Sequence, residues 1–507
     1  MTGTLRPPAT GRGAATGLGR RGWWVTVATT AALCLVVGGS RLPFLRAPLS
    51  SDEAGYLVIG AHWSPGTSLY GNYWVGRPPL LIAVFAVADS LGGPVAVRWI
   101  GVAAVVLAIC AAAVVGWYAS LRRTAGAVAA AWVVAALLAT PLFGSPGSVN
   151  GELLASPLIL GGLAALLASR QATTRTRTLA LSGLAGALGA SAFLIKQNML
   201  DVFVVAGVLG VHTLWRRGLR PAALDLLPVV AGAGVAAGAA IALAADRGTS
   251  LTGLWGAVIL FRHEAAGRLA FVGPRQLELV RHYVITGALA VTVVSGVVCF
   301  SSRRRVRALA PSSPPWATAA VALICWEVAA VFAGGDAWSH YLIGVVPGVA
   351  LLAAVALRAP GKVGLSLLTA CLLYAGVAAA VAWSMEQGPP RSPSDDQVAA
   401  SYVRDHASPG DSVVVAFGHA NVVQDTGLPS AYPYLWGLPA HVKDPRLNTL
   451  KRVLRSPAAP RWFVVSADLS RWGPTGAMLQ RTLDRQYSVA LRTRRWVVLR
   501  RDQATTP

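Results

Sequence analysis

Runs of about 20 apolar residues, separated by short polar gaps, repeat along the first 384 positions of the chain, and a run of that length can cross a bilayer as a helix. They predict about eleven spans, near 23–42, 95–119, 125–142, 153–169, 178–195, 201–215, 224–245, 283–300, 316–333, 341–357 and 363–384. An odd number puts the termini on opposite sides. Arg6, Arg12, Arg20 and Arg21 precede the first run, and alternate gaps carry Arg122/Arg123, Arg170/Arg175/Arg177, Arg216/Arg217/Arg220, Arg303/Arg304/Arg305/Arg307 and Arg358/Lys362. The positive-inside rule places these in the cytoplasm, with residues 1–22 as a cytoplasmic tail. The first run has a basic flank like that of a signal peptide, but it is long for one and lacks a small-residue cleavage site before Arg41 and Pro43, so a retained helix is expected. Gly183/Gly186/Gly189 and Gly232/Gly234/Gly238 predict close helix packing.

The opposite gaps differ in kind: two are long, at 43–94 and 246–282, and nearly every unusual polar residue of the membrane part, 23–384, falls on this side. From 385 the apolar pattern collapses. GPPRSPSDD reads as a linker and then a helix with Ser394 as N-cap, SPGD (408–411) as a turn, and 412–417, 461–465 and 494–499 as strands. The fold class expected is a polytopic α-helical membrane protein with a small C-terminal extracytoplasmic α/β domain over 385–507.

Composition agrees. Of 507 residues 54% are hydrophobic and 13% charged, with mean hydropathy +0.55, which excludes an ordinary soluble enzyme. The net charge of +23 comes from 44 basic against 21 acidic residues. Within 23–384 most of the arginines sit in the short gaps, so the surplus there reports topology rather than nucleic-acid binding. Ala, Gly and Val richness with Arg favoured over Lys hints at a high-GC bacterium, and the expected location is the bacterial inner membrane. Cys34, Cys110, Cys299, Cys325 and Cys371 all lie in apolar runs and offer no disulfide or zinc spacing.

Acidic residues are scarce before 385, yet Asp52 and Glu53 stand together where the first long loop begins. A carboxylate at a membrane surface can serve as general base to a hydroxyl; Ser51-Asp52-Glu53 also suits a helix start. Arg77 precedes Pro78-Pro79, which fix the start of an apolar helix, and a fixed arginine at headgroup level can grip phosphate or simply snorkel. Asn150 and Glu152 begin the fourth span. Lys196, one of four lysines, follows the fifth; at a helix end in a membrane protein it is a functional candidate. Arg262, His263, Glu264 and Arg268 lie in the second long loop, and Asp336 and His340-Tyr341 lead into the tenth span.

The acidic pair after the first span, the Tyr-rich loop ending in Arg-Pro-Pro, the second span bearing Arg98 and the late His340-Tyr341-Leu342 together resemble the GT-C class of glycosyltransferases. The likeness is to the branch of protein O-mannosyltransferases and lipid A aminoarabinose transferases. DSVVVAFGHANVVQDTGLPSAYPYLW (411–436) is similar to the periplasmic domains of its bacterial members. The resemblance implies a sugar donor linked to polyprenyl phosphate and transfer to a protein, lipid or glycan acceptor on the outer face. It implies Asp52 as the catalytic acid-base residue beside Glu53, and Arg77 at the donor phosphate. Lys196, Arg268, His340 and Tyr341 are further donor-side candidates; Asn150, Glu152, His263, Glu264 and Asp336 are acceptor-side or orienting ones. Arg stands where aminoarabinose transferases carry Lys, and only Asn150 or Glu152 represents the family's second-loop acid, which leaves the acceptor and a divalent metal open. The rival class is a transporter or flippase of lipid-linked sugars, but such proteins show repeated halves and polar groups near mid-bilayer, and this sequence shows neither.

Overall fold

The computed structural model describes residues 20–266, 273–309, 313–333, 337–390, 392–466, 469 and 473–502. Each predicted apolar run is helical: α1 Arg20–Ser40, α4 Pro94–Ala119, α5 Thr124–Ala139, α6 Gly151–Ser169, α7 Arg175–Ile195, α8 Asp201–Arg217, α9 Leu219–Asp246, α13 Ala288–Leu309, α14 Trp316–Ala333, α15 Val346–Ala356 with the 3₁₀ turn Ser339–Val345 before it, and α16 Lys362–Ser384. Among the described residues eight helices are long and apolar enough to cross a membrane. A ninth span is bent by 60° where α12, Gly273–Ile285, meets α13, and Gly287 turns the chain there with φ +78°. Of the predicted runs, α5 has 16 residues and α8 has 17, short for a span.

Between α1 and α4 lie two helices the hydropathy does not separate, α2 Ser51–Ala61 and α3 Pro79–Ser90. The second long loop holds α10 Leu251–Trp255, a π turn over Gly256–Leu260, and α11 Phe261–Ala266. The α6 window is 78% buried and that of Ser339–Ala356 83%, against 11% for α9 and 17% for α16, so α6 and α15 form the centre and α9 and α16 face outward. The glycine expectation holds at all but two of the six positions. Gly186 and Gly232 touch the backbone of the opposing helix where α7 crosses α9, leaving no room for a Cβ, whereas Gly234 and Gly238 face open space.

The C-terminal part contains α17 Asp395–His406, β1 Val413–Ala416, α18 Ala420–Thr426, α19 Gly437–Lys443, α20 Asn448–Arg455, β2 Trp462–Ser466, α21 Gly473–Gln486, β3 Tyr487–Arg492 and β4 Trp496–Arg501. Ser394 caps α17 as its sequence predicts. The sheet runs β1-β2-β4-β3, parallel at β1/β2 and antiparallel elsewhere. Strand β3 was not predicted: it is an edge strand with five of six positions partly or fully exposed, so it lacks the apolar run that marks β1 and β2.

Candidate active site

The two adjacent acids separate as soon as α2 forms. Ser50 is the N-cap, its hydroxyl accepting from Glu53 N–H at 3.4 Å while the Glu53 carboxylate accepts from Ser50 N–H at 2.7 Å, a closed capping box. The same carboxylate accepts from Val149 N–H at 2.6 Å and pairs with Arg98 of α4. Arg98 also donates to Gly147 O at 2.5 Å and Pro48 O at 2.7 Å. Glu53, 1% exposed, thus ties the first loop to α4 and to the start of α6. Asp52, one residue earlier, points away from this knot and is exposed.

Asp52 borders a cleft of about 300 Å³ at one end of the bundle, lined by Asp52 and Tyr56 of α2, Arg77, Leu81 of α3, Asn150, Gly151 and Glu152 at the start of α6, Ile195, Lys196 and His340. Helix ends converge here because each apolar run stops at the membrane boundary, and the residues that stop it are polar. Asn150 caps α6, accepting from Leu153 N–H at 2.9 Å. Lys196 ends α7 and pairs with buried Glu152, its ammonium 4.2 Å from the centre of the Tyr341 ring.

Arg77 is held from both sides. Pro78 caps α3 in extended conformation and Pro79 opens it. Tyr70 donates its hydroxyl to Arg77 O at 2.7 Å, and Arg77 Nε donates to the Tyr56 hydroxyl at 3.0 Å. Burial works against the Arg77 charge, but Tyr56, Asp52 and Tyr341 around it outweigh burial and hold the guanidinium above its usual range. The Tyr56 phenol is pushed up by burial although Arg77 opposes this. Burial lowers the Lys196 ammonium, with Glu152 pulling it up and Arg77 down.

Of the residues singled out in the sequence, Asp52, Arg77, Asn150, Glu152, Lys196 and His340 line this one cleft, and Tyr341 adjoins it through Lys196. Glu53 does not line it. His263 and Glu264 are exposed on α11, where Glu264 pairs with Lys443 at 2.6 Å. Arg268 and Asp336 lie outside the described residues. Four polar residues escaped the sequence reading. Tyr56 could have been found one turn after Asp52 on the same helix face. Glu327, 1% exposed in α14, faces Asp201 of α8, and its signal was an acid inside an apolar run. Trp436 had no local signal. Among the described residues no three His, Cys, Asp or Glu side chains gather as a metal-binding group. The cleft's carboxylates are Asp52 and Glu152, the latter committed to Lys196, which does not make a metal cage.

No family model matches the chain, and no curated protein matches its sequence. Solved structures do match in fold. ArnT, the lipid A aminoarabinose transferase of Cupriavidus metallidurans, bound to undecaprenyl phosphate, superposes with TM-score 0.60 at 17% identity, covering 95% of this chain and 98% of that one. The archaeal oligosaccharyltransferase AglB of Archaeoglobus fulgidus, in complex with an inhibitory peptide and a dolichol-phosphate, gives 0.53 at 14% identity, over 96% of this chain and 75% of that one. The mycobacterial arabinofuranosyltransferase AftD gives 0.52 at 14% identity, over 96% and 40%. The chain has the GT-C fold. The membrane bundle and the strand-containing C-terminal domain are both part of that likeness, since nearly the whole chain is covered.

Proposed function

We propose that the chain is a membrane glycosyltransferase that moves a sugar from a polyprenyl-phosphate donor to an acceptor hydroxyl on the outer face of a bacterial inner membrane. One observation carries this reading: a carboxylate, an arginine held charged, a lysine and a histidine, drawn from four separate parts of the chain, meet in one cleft at one end of the bundle. The donor needs an apolar groove for its chain, cations for its phosphate and a base for the acceptor. The lipid phosphates carried by the ArnT and AglB structures, which have the same fold, support a lipid-linked donor here.

In the proposed reaction the acceptor oxygen attacks the anomeric carbon while Asp52 takes the hydroxyl proton. The bond from that carbon to the phosphate oxygen breaks, its electron pair leaves with the lipid phosphate, and Arg77 and Lys196 hold the developing charge. A single displacement inverts the configuration. Glu53 is committed to Arg98, so it orients α2 rather than meeting the sugar. No step runs through a metal. The acceptor is a protein, lipid or glycan, and the Arg distribution puts the N-terminus in the cytoplasm and the C-terminal domain outside.

The test is incubation of purified protein with labelled polyprenyl-phosphate hexoses and pentoses in membranes of a host that lacks the enzyme. Label passing from lipid to an envelope acceptor, with inverted anomeric configuration, is the expected result. Transport of the intact lipid-linked sugar without its cleavage would replace this reading with the flippase one.

A further inference from the structure

The C-terminal domain does not merely hang from the bundle. Its contacts converge on the loop that carries Asp52. The Ser51 hydroxyl donates to Gly418 O at 2.8 Å and accepts from Ala420 N–H at 3.1 Å. The Tyr73 hydroxyl accepts from Ser430 N–H at 3.0 Å, and Trp74 N–H donates to Pro433 O at 3.0 Å. Between these points the Trp436 ring lies 5.5 Å from the Tyr56 ring and fills the space a Cβ on Gly55 would need. Its indole N–H donates to Asp52 Oδ1 at 2.9 Å. Among the hydrogen bonds of the described residues, none falls on Asp52 Oδ2.

We propose that Trp436 is a positioning residue of the active site, fixing one oxygen of the Asp52 carboxylate so that the other is presented to the acceptor hydroxyl. The proposal rests on the reading of Asp52 as general base. A carboxylate on an exposed first turn samples several rotamers, and a general base must sit within hydrogen-bond reach of the proton it takes. An indole has one donor and no acceptor, so it can restrain the carboxylate without competing for the proton. The packing explains why the donor arrives in register: Gly55 gives the ring its slot, Tyr56 flanks it, and the Ser51 contacts pin the same turn of α2 to Gly418 and Ala420. The catalytic group is thus carried by the membrane part and aimed by a domain 384 residues away in sequence.

The experiment compares full-length wild type with Trp436→Phe, which keeps an aromatic ring in the Gly55 slot and removes only the N–H, and with Gly55→Ala, which displaces the ring and leaves Trp436 chemically intact. Labelling of Asp52 by a water-soluble carbodiimide and an amine, read by mass spectrometry, should rise severalfold in both variants while the exposed Asp405 labels equally in all three. Under the transferase assay both variants should lose roughly tenfold in kcat with the donor KM unchanged, the loss of one charge-assisted hydrogen bond. In an Asp52→Asn background Trp436→Phe should cost nothing further, because a residue acting through Asp52 has nothing left to act on. Unchanged Asp52 labelling overturns the proposal, and so does a tenfold loss that persists in the Asp52→Asn background. A wild-type protein that transfers no sugar overturns the glycosyltransferase reading alone, and the labelling still decides whether Trp436 holds Asp52.

Discussion

Asp52 and Glu53 are neighbours in sequence and opposites in environment. Around Glu53 every acceptor is used: the capping box, Val149 N–H and Arg98 saturate a carboxylate that is 1% exposed. Around Asp52 a single indole donates to one oxygen, and the carboxylate opens on a cleft with cations opposite. A saturated buried cluster has nothing left to offer a substrate, and its removal costs stability. An unsaturated one at a cleft keeps bonding capacity in reserve for a ligand. The pair teaches that charge and position in sequence do not distinguish the two roles, whereas the count of satisfied hydrogen bonds does.

The sharpest way to break this contrast is to neutralise each acid in turn. Asp52→Asn should lower turnover by roughly 10²–10⁴ with the unfolding midpoint in detergent unchanged. Glu53→Gln should do the reverse, losing roughly 3–5 kcal/mol of stability because Arg98 is left buried without its counter-charge. Near wild-type transfer by Asp52→Asn would make that residue a plain first-turn acid, and the base would have to be sought elsewhere in the cleft. A smaller effect is expected at Arg77. Arg77→Ala should weaken binding of undecaprenyl phosphate by roughly 1.5–3 kcal/mol, and Arg77→Lys should restore part of it. Equal lipid affinity in wild type and Arg77→Ala would show that its bond to Tyr56 is the whole of its function.

The smallest effect is expected from a saturated cluster in the C-terminal domain, which should behave like Glu53. Asp396 accepts from Asn421 and from Trp496 Nε1, both at 2.8 Å, with His419 at 3.4 Å. Burial pushes its carboxyl up, but the hydrogen bonds from His419, Asn421 and Trp496 outweigh burial and hold it well below the usual range. A depressed folded-state value contributes stability above the ordinary Asp range, and that contribution is lost as the pH falls through the folded value. Asp396→Asn should therefore cost about 1 kcal/mol at neutral pH and flatten the acid limb of unfolding below about pH 4, followed by circular dichroism. A variant with the wild-type acid limb would show that the cluster does not carry the domain's acid sensitivity.

Much of the fold was legible because a membrane span is written locally. Some twenty apolar residues in a row leave a helix across the bilayer as the way to satisfy their own backbone, and arginines in alternate gaps add a direction. Strand β3 was missed for the converse reason, since an edge strand buries too little to mark its sequence. The gathering of polar residues at one side was also readable, for each sits where an apolar run stops. Glu53 was read together with Asp52 as a site residue, and His263 and Glu264 as acceptor-side ones. The structure puts Glu53 in the Arg98 knot and Glu264 on Lys443, contacts that join residues 45 and 179 positions apart.

Hydropathy and charge by themselves determined the spans, the strand-bearing domain after them and the end of the bundle at which polar groups collect. Which carboxylate is spent on structure and which is left free was decided only by the tertiary structure. That choice depends on where Arg98, Val149 and Trp436 arrive, and hydrogen bonds act over about 3 Å in space, a proximity that packing alone creates between residues far apart in the chain.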